Sequence, residues 1–495
     1  MTGSKQARGR ALQAAKPFAS ISSTTSSGTS VPSSSSSPYR QPESVAVIGG
    51  GIAGLTCAKF LAANNRFVPT VFDTGRLRPG GRCSSRWPTD KPADDDSRSY
   101  KYLKSSIFDH AAQILVAPRQ FPEFQRQVEE WETEGIISKY PEGTVCNIAD
   151  KNYQRGKQQQ QNDKKSGGFA VRPINTSKKN VMYYGTEGMG SIPLAIQKDS
   201  RASLEQDVWV SPSNGVRYQN SNNKWKLQAN GQTLGIFDRI VIAHNGKCAD
   251  RIMSKTPAKK IHNLLRVNFA PRVPPQGGKR MTLNSIYSLT FALPKNNMLD
   301  QVLPNNKFYC GFVQNEPTLR FLSCQTRKYQ QDKPDEEVQV WTVLSSAPFA
   351  KKHKAPQEFL PNDVVENVTQ LLLQGVEKSL YVETNTIIDS VLESRLQLWG
   401  AAVPVNVWEQ QGNADNSKCS TGFLHDGDHN VGVCGDWLLE ASIGGAWESG
   451  RRLAEYMVSA IEEDQQPTTT AAVVGVKGAF RMSQQAMKAG IGSLT

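Results

Sequence analysis

The first part of this sequence contains continuous apolar runs, which are typical of buried strands, and segments in which apolar residues recur at helical spacing. Glycines lie between an apolar run and the helical segment that follows it. Residues 45–48 form an apolar run without polar alternation, which is typical of a parallel strand buried on both faces. From Ile52 the apolar positions recur at helical spacing, and residues 64–65, both asparagine, can end that helix. A second apolar run follows at 68–72. The pattern predicts a strand–helix–strand unit.

Further along, the pattern predicts a hairpin meander and further buried strands. Asn-Gly pairs at 214–215 and 230–231 lie between apolar runs, which is the strongest short-range signal for a hairpin. Residues 238–245, DRIVIAHN, contain one more apolar run, which predicts a buried parallel strand. Residues 429–457 contain an apolar strand followed by glycines that open a helix.

The middle of the chain has a different pattern, in which strands alternate with helices. An amphipathic helix is predicted at 119–134, and residues 141–180 are predicted to be mostly loop. Between residues 255 and 425 the pattern predicts strands at 285–293, 307–313 and 339–344, a helix at 363–379, and an apolar segment at 396–404. This mixture predicts an antiparallel sheet with flanking helices, which we interpret as a substrate domain.

Three glycines after the first strand indicate the first candidate chemistry. Gly49, Gly51 and Gly54 have the G-x-G-x-x-G spacing: the first permits a tight turn, the second lets the backbone approach a pyrophosphate, and the third lets helix and strand pack closely. A phosphate there lies against the positive end of the helix dipole. Asp73 follows about 20 residues later, where a carboxylate accepts the ribose hydroxyls of an adenosine. We therefore predict a dinucleotide site.

A second glycine loop indicates which dinucleotide this site binds. Gly80 and Gly81 expose backbone N–H groups, and the guanidinium of Arg82, which follows them, can hold a phosphate. This loop resembles the one that closes over the FAD pyrophosphate in the flavin amine oxidase superfamily. The resemblance favours FAD over a nicotinamide nucleotide.

Three further segments resemble the renalase-like branch of that superfamily. Residues 107–113, IFDHAAQ, are similar to its FDHGAQ segment, with Ala111 where the branch has glycine. Residues 181–196 resemble its YVGxPGM segment, and residues 396–404 resemble its WxYAxP element. The resemblance covers roughly residues 44–462.

The last predicted strand and helix extend the resemblance to the C-terminal part of the chain. In the superfamily, the carboxylate of a Gly-Asp pair, here Gly435-Asp436, binds the ribityl chain. The following helix points its N-terminus at the flavin, where reduced flavin carries negative charge. The SIGGAW segment, residues 442–447, contains no cysteine, so the FAD is expected to be non-covalent. The resemblance implies that FAD contacts Gly49, Gly51, Ile52, Ala53, Gly54, Asp73, Thr74, Gly81, Arg82, Val208, Gly435, Asp436, Gly445 and Ala446.

An enzymatic function follows from the same resemblance. It implies an FAD-dependent oxidoreductase that takes a hydride from an amine or a dihydronicotinamide-type small molecule onto flavin N5, with dioxygen as the acceptor and hydrogen peroxide as a product. His110, Gln113 and Trp399 are its candidate catalytic residues. Two alternative hypotheses are a catalytically inactive binding protein with a flavin fold, and a dehydrogenase that uses NAD(P) alone.

Composition and charge exclude several other classes of protein. The net charge is +13, but part of the excess lies in the N-terminal leader and in the low-complexity stretch 151–165, neither with interleaved aromatics. No nucleic-acid partner is therefore expected. The eight cysteines form no C-x-x-C pair and the six histidines no pair at helical spacing, so neither a metal site nor a disulfide framework is predicted. No apolar run is long enough to span a bilayer.

The N-terminal leader bears on localisation. Residues 1–42 contain many serines and threonines, five Lys or Arg, and no Asp or Glu. This composition predicts disorder and resembles an organellar transit peptide, which implies a plastid or a mitochondrion. The alternative is a flexible tail on a cytoplasmic protein.

The predicted fold is α/β. It combines a Rossmann-like FAD-binding domain of the glutathione reductase type, discontinuous in sequence, with an α+β substrate domain built on an antiparallel sheet. The predicted segments are a disordered leader (1–43), the FAD-binding domain in three parts (44–118, 181–254 and 429–464), the substrate domain in two parts (119–180 and 255–428) and a mobile tail (465–495).

Overall fold

The computed structural model of the chain describes residues 41–88, 90, 100–150, 168–175, 181–304, 307–314, 316–329, 337–357, 359–410, 421–463 and 473–483. Residues 1–40 of the serine-rich leader and the stretch 151–165 lie outside the described residues, so what was predicted for them stays a prediction. Within the described ranges, each helix is too short or too polar to cross a bilayer. Nor do these ranges contain a group of three or more side chains that could hold a metal ion.

The strands, in chain order, are β1 (Glu43–Ile48), β2 (Phe67–Phe72), β3 (Ser85–Arg86), β4 (Phe108–Asp109), β5 (Leu115–Val116), β6 (Ile137–Lys139), β7 (Val145–Asp150), β8 (Phe169–Pro173), β9 (Met182–Gly185), β10 (Ser203–Glu205), β11 (Val216–Gln219), β12 (Lys224–Ala229), β13 (Gln232–Phe237), β14 (Arg239–Ile242), β15 (Val267–Phe269), β16 (Met281–Pro294), β17 (Cys310–Val313), β18 (Leu319–Cys324), β19 (Val338–Ser345), β20 (Glu393–Pro404), β21 (Asn406–Gln410), β22 (Leu424–Asp426), β23 (Val431–Val433), β24 (Val473–Val474) and β25 (Gly478–Met482). The α-helices are α1 (Ile52–Ala62), α2 (Pro122–Thr133), α3 (Ser191–Lys198), α4 (Gly246–Met253), α5 (Lys259–Leu265), α6 (Met298–Val302), α7 (Gln325–Lys328), α8 (Ala347–Lys352), α9 (Asn362–Ser379) and α10 (Ile443–Glu463).

The first sheet contains strands from both ends of the described chain. Its order is β10-β2-β1-β14-β23-β22-β24, parallel from β10 to β23 and antiparallel beyond. The register sets Ile48 opposite both Phe72 and Ile242, and Ile242 opposite Val433. The carboxyl ends of four parallel strands therefore meet at one edge of the sheet, where ligands bind in open α/β folds. The predicted α/β fold with a Rossmann-like domain is confirmed.

A glycine lets the C-terminal helix pack directly on the first helix. A Cβ added at Gly450 in α10 would lie 2.2 Å from the carbonyl oxygen of Ala53 in α1, closer than any side chain can approach. The backbones of α1 and α10 are therefore in contact. Because each helix follows a strand that ends at the same sheet edge, this packing brings both helix starts to that edge.

The second sheet forms, and so does one of the two predicted hairpins. The Asn-Gly pair at 230–231 joins β12 to β13, but the prediction of a hairpin at 214–215 was wrong, because β11 and β12 are joined through residues 220–223. Strands β11, β12 and β13 make an antiparallel meander, after which β14 returns parallel to β1. The second sheet has the order β15-β16-β19-β18-β17-β7-β8, with β20 on β16, and is mostly antiparallel. Its strands β16, β17, β19 and β20 overlap the predicted segments, and α9 overlaps the helix predicted at 363–379.

Two regions differ from the sequence-based expectation. The stretch 141–180, predicted to be mostly loop, contains β7 and β8, which extend the second sheet through β17. The tail after residue 464, predicted to be mobile, contains β24 and β25, which pair with β22 and β21. In both regions the prediction was wrong for these strands, because short strands with distant partners have no detectable period of their own. Phe480 of β25 is buried against Trp408, with ring centroids 4.9 Å apart.

Candidate functional site

A cavity of about 900 Å³ opens along the carboxyl edge of the parallel strands. The loops after β1, β2, β14 and β23 form its walls together with β20 of the second sheet. Of the predicted cofactor residues, the lining includes Gly49, Gly51, Ile52, Ala53, Asp73, Thr74, Gly81, Arg82, Val208, Gly435, Asp436 and Ala446. Gly54 and Gly445 are outside this lining and pack against backbone instead: an added Cβ would lie 2.0 Å from the carbonyl oxygens of Gly49 and Glu440, respectively.

The three glycines of the first loop have three different environments. Gly49 has a φ of +118°, a backbone conformation that residues with a side chain rarely adopt. Gly54 faces the backbone of Gly49, so α1 could not pack on β1 if it carried a side chain. A Cβ added at Gly51, by contrast, would meet nothing within 4 Å. The backbone at Gly51 therefore borders open space in the cavity at the start of α1, which suits a phosphate.

Asp73 is buried at the end of β2, where it is 8% exposed. Its Oδ1 accepts the N–H of Gly50 at 3.1 Å, and its Oδ2 accepts the N–H of Gly75 at 3.2 Å. Burial raises the pKa of this carboxyl, although the backbone N–H groups oppose that shift. Each oxygen keeps an acceptor position for a ligand hydroxyl. Sequence reasoning missed Gly50, whose added Cβ would lie 2.6 Å from Asp73 Cγ.

The second glycine loop is hydrogen-bonded to the first. The N–H of Gly80 donates to the carbonyl of Gly50 at 2.7 Å. In the same loop, Nη1 of Arg82 donates to Oδ2 of Asp436 at 2.7 Å and to the carbonyl of Ala402 in β20 at 2.8 Å. Arg82 thus joins the second glycine loop, the turn after β23 and the second sheet.

The turn after β23 is fixed to the start of α10. The N–H of Gly435 donates to Oγ of Ser449 at 2.9 Å. Ser442 Oγ accepts the N–H of Gly445 at 3.0 Å, which satisfies one of the free N–H groups of the first turn. Ala446, in that first turn, lines the cavity. The positive end of the α10 dipole therefore lies at the cavity wall.

The three predicted catalytic residues differ in their access to the cavity. Trp399 lines it, and its Nε1 donates to the carbonyl of His110 at 3.2 Å. His110 is buried outside the lining, and burial holds the pKa of its imidazole well below the usual value. Gln113 is also buried outside the lining, where its Oε1 accepts from Gln325 at 3.1 Å and from Lys328 at 3.4 Å. Of the three, the structure brings Trp399 to the cavity.

Several lining residues were not predicted from the sequence. His244 follows β14, its Nδ1 donates to the carbonyl of Ile48 at 3.1 Å, and burial lowers its pKa. The predicted strand could have indicated this residue, because residues after the carboxyl ends of parallel strands face the ligand crevice. Lys247, Lys351 and Lys354 also line the cavity. The two lysines near α8 had no such signal, because they lie in a short helix and turn far from any motif.

The chain is similar to one known family model and to several solved structures. Residues 47–131 match the family model of the NAD(P)-binding Rossmann-like domain. The chain is similar to a triple mutant of putrescine oxidase made to redesign its cofactor binding, with 11% identity and a TM-score of 0.50 over 85% of this chain and 99% of that chain. It is also similar to wild-type putrescine oxidase bound to putrescine (10% identity, TM-score 0.47, covering 84% and 99%) and to the tetracycline destructase Tet(51) (10% identity, TM-score 0.44, covering 90% and 87%).

The family match and the first structural likeness agree with the topology of the parallel sheet. The chain therefore contains a Rossmann-like NAD(P)-binding domain and has a fold similar to that of putrescine oxidase.

Proposed function

We propose that this chain is an FAD-dependent oxidoreductase of the renalase-like type, with FAD bound non-covalently in the cavity. The observation that supports this most directly is the convergence of two glycine loops, Asp73 and Asp436 on one cavity. A nicotinamide nucleotide would account for the first loop and Asp73. It would give no reason for the second loop and the C-terminal turn to meet at the same place.

Each of these groups on the cavity wall suits a different part of the proposed FAD. The open space at Gly51 and the start of α1 suit the pyrophosphate, and the free acceptor positions of Asp73 suit the adenosine ribose. Asp436 suits the ribityl hydroxyls, and the α10 N-terminus at Ala446 suits the flavin ring. Val208 would lie near the adenine, since its N–H donates to the Asp73 carbonyl at 2.9 Å.

FAD, when bound, would supply flavin N5 as the hydride acceptor, and we propose dioxygen as the final electron acceptor, with hydrogen peroxide as the product. The chain itself orients a small-molecule substrate, an amine or a dihydronicotinamide-type compound, against an apolar wall that includes Ile286, Leu344 and Leu398. This wall also excludes water. Trp399 is held at the cavity by the His110 carbonyl. Because His110 is buried and neutral, we assign it a positioning role, through the hydrogen bond of its carbonyl to Trp399, rather than proton transfer.

The purified full-length protein tests this proposal. We expect a yellow preparation with the absorbance of oxidised flavin, and release of FAD on denaturation. Anaerobic titration with an amine and with a dihydronicotinamide compound should bleach that absorbance for one of the two classes. A colourless protein that takes up no added FAD would contradict the proposal and favour an NAD(P)-only dehydrogenase. A yellow protein that neither class reduces would favour an inactive binding protein.

A further inference from the structure

Three lysines line one part of the cavity, and we call them the lysine rim. Lys247 is the second residue of α4, Lys351 lies in α8, and Lys354 follows α8. All three side chains are exposed. In the ranges that the structure describes, none of the three forms an ion pair, and Lys247 Nζ lies 5.8 Å from the centroid of the Phe269 ring.

Two contacts place the lysine rim around one stretch of β20. A Cβ added at Gly246, next to Lys247, would lie 3.3 Å from Ala401 Cβ. In addition, Gln357 Oε1 accepts the N–H of Gly400 at 2.9 Å, which attaches the segment after α8 to the same strand. The two segments that carry the lysine rim therefore contact β20 at residues 400–401, next to Trp399.

The carboxylates that line the cavity already accept hydrogen bonds from other groups of the chain. Among the described lining residues these are Asp73 and Asp436. Asp73 accepts two backbone N–H groups, and Asp436 accepts from Arg82. The described lining thus offers a protonated amine no free negative charge, whereas it offers an anion three unpaired ammonium groups.

We propose that the lysine rim binds a phosphate or carboxylate group of the substrate, so that this site takes an anionic molecule and not a polyamine. This inference rests on the proposed function, because it places the reacting end of that molecule beside Trp399 and the flavin. Lysine ammonium groups attract phosphate and carboxylate as point charges. Positive charge on the wall of a cleft also speeds the entry of anions and slows the entry of cations.

The test compares four ligands that share one aromatic ring: benzoate, phenyl phosphate, benzyl alcohol and benzylamine. Each is titrated into the FAD-loaded protein anaerobically at low salt by calorimetry, which measures binding without turnover. We expect at least one of the two anions to bind about 5-fold more tightly than benzyl alcohol, and benzylamine to bind more weakly than benzyl alcohol. The ratio of the two anions distinguishes carboxylate from phosphate. Equal binding of all four ligands, or tightest binding of benzylamine, would overturn the proposal.

A variant that carries Lys247→Gln, Lys351→Gln and Lys354→Gln removes the lysine rim. We expect it to bind the preferred anion about 10-fold more weakly and to retain normal FAD content. Lys352→Gln is the matched control, since Lys352 is an exposed lysine of α8 outside the cavity lining. Unchanged anion binding in the triple variant, or the same loss in the control, would contradict the proposal. If the wild-type protein takes up no FAD, the proposed function fails, but the same titrations on FAD-free protein still test the lysine rim.

Discussion

The guanidinium of Arg82 donates to the carboxylate of Asp436 across 2.7 Å, although the two residues are 354 positions apart in the chain. The Asp436 side chain is only 5% exposed, whereas that of Arg82 is 35% exposed. The charge of the buried carboxylate therefore depends on Arg82 for a partner. This ion pair joins the second glycine loop to the turn after β23 at the cavity wall, where the proposed cofactor requires both.

Asp436→Asn removes the negative charge that we assign to the ribityl chain. We expect the Kd for FAD to rise about 10- to 100-fold, since a hydrogen bond to a charged group contributes about 1.5–3 kcal/mol. Titration of FAD-free protein, followed by quenching of flavin fluorescence, measures this change. The control is Glu409→Gln, which breaks the pair between Glu409 and Arg481, whose side chains are 61% and 60% exposed. FAD binding as tight in Asp436→Asn as in this control would contradict the assignment.

Alanine substitutions at two glycines of the first loop are expected to have different effects, one on FAD binding and the other on folding stability. Gly51 has φ −79° and ψ 178°, which alanine adopts freely, so Gly51→Ala should fold normally. Its methyl group would occupy the open space next to the proposed pyrophosphate and should lower FAD affinity by at least about 10-fold. Gly54→Ala should instead destabilise the fold by more than about 3 kcal/mol, because its Cβ collides with backbone 2.0 Å away.

Urea unfolding of the FAD-free proteins and FAD titration together measure both glycine variants. We expect Gly51→Ala to keep wild-type stability but to bind FAD more weakly. We expect Gly54→Ala to lose stability. If Gly51→Ala bound FAD as tightly as the wild type, the pyrophosphate would not lie where we propose.

The sequence predicts those parts of this structure that have a local signal. The apolar run of β1 and the helical spacing of α1 each depend on residues within one element, and both form as predicted. The Asn-Gly turn at 230–231 joins β12 to β13 because its backbone geometry suits a hairpin, and residue 230 has a positive φ of 48°. The strand β14 likewise contains a short apolar run, residues 240–242.

What the sequence did not predict depends on contacts between distant residues. The close fit of Gly50 against Asp73 and the pairing of β25 with β21 arise only after folding. The segment that contains His110 and Gln113 has little regular secondary structure. Its sequence therefore has no periodic pattern of apolar residues that would predict which side chains face the cavity. Both were predicted as catalytic, yet the structure buries them outside the cavity lining.

His425 in β22 should make stability depend on pH. Among the described residues its two ring nitrogens have no hydrogen-bond partner, and burial together with the nearby Arg239 lowers its pKa from 6.5 to about 4. Between these values the unfolded state binds a proton that the folded state does not. Stability from this residue is therefore complete above about pH 6.5 and falls by up to about 3 kcal/mol as the pH drops to about 4.

Replacement of this histidine by phenylalanine isolates its contribution to the pH dependence. The ring of His425 packs edge-on against Tyr456 at 5.1 Å, so His425→Phe keeps the shape of the contact. We expect the stability difference between pH 7.5 and pH 5, measured by urea unfolding, to be about 2 kcal/mol smaller in His425→Phe than in the wild type. An equal difference in both proteins would show that other buried groups cause the pH dependence.

The ion pair between Lys328 and Asp109 should be essential for stability. Both side chains are fully buried, and Lys328 Nζ lies 2.7 Å from Asp109 Oδ2. Oδ1 of the same carboxylate accepts from Ser85 Oγ at 2.5 Å and from the N–H of Met189 at 2.9 Å. Lys328→Met leaves this carboxylate buried without its cation, and we expect it to lower the free energy of unfolding by about 3–5 kcal/mol.

A double variant separates the charge from the packing at this site. Asp109→Asn together with Lys328→Met removes both charges, so we expect it to be more stable than Lys328→Met alone. Lys139→Met is the surface control, because Lys139 pairs with Glu132 with side chains 53% and 32% exposed, and it should change stability by less than about 1 kcal/mol. Urea unfolding of the three variants tests this order. If the double variant were less stable than Lys328→Met, the hydrogen bonds of Asp109 to Ser85 and Met189, rather than the ion pair, would dominate the contribution of this cluster.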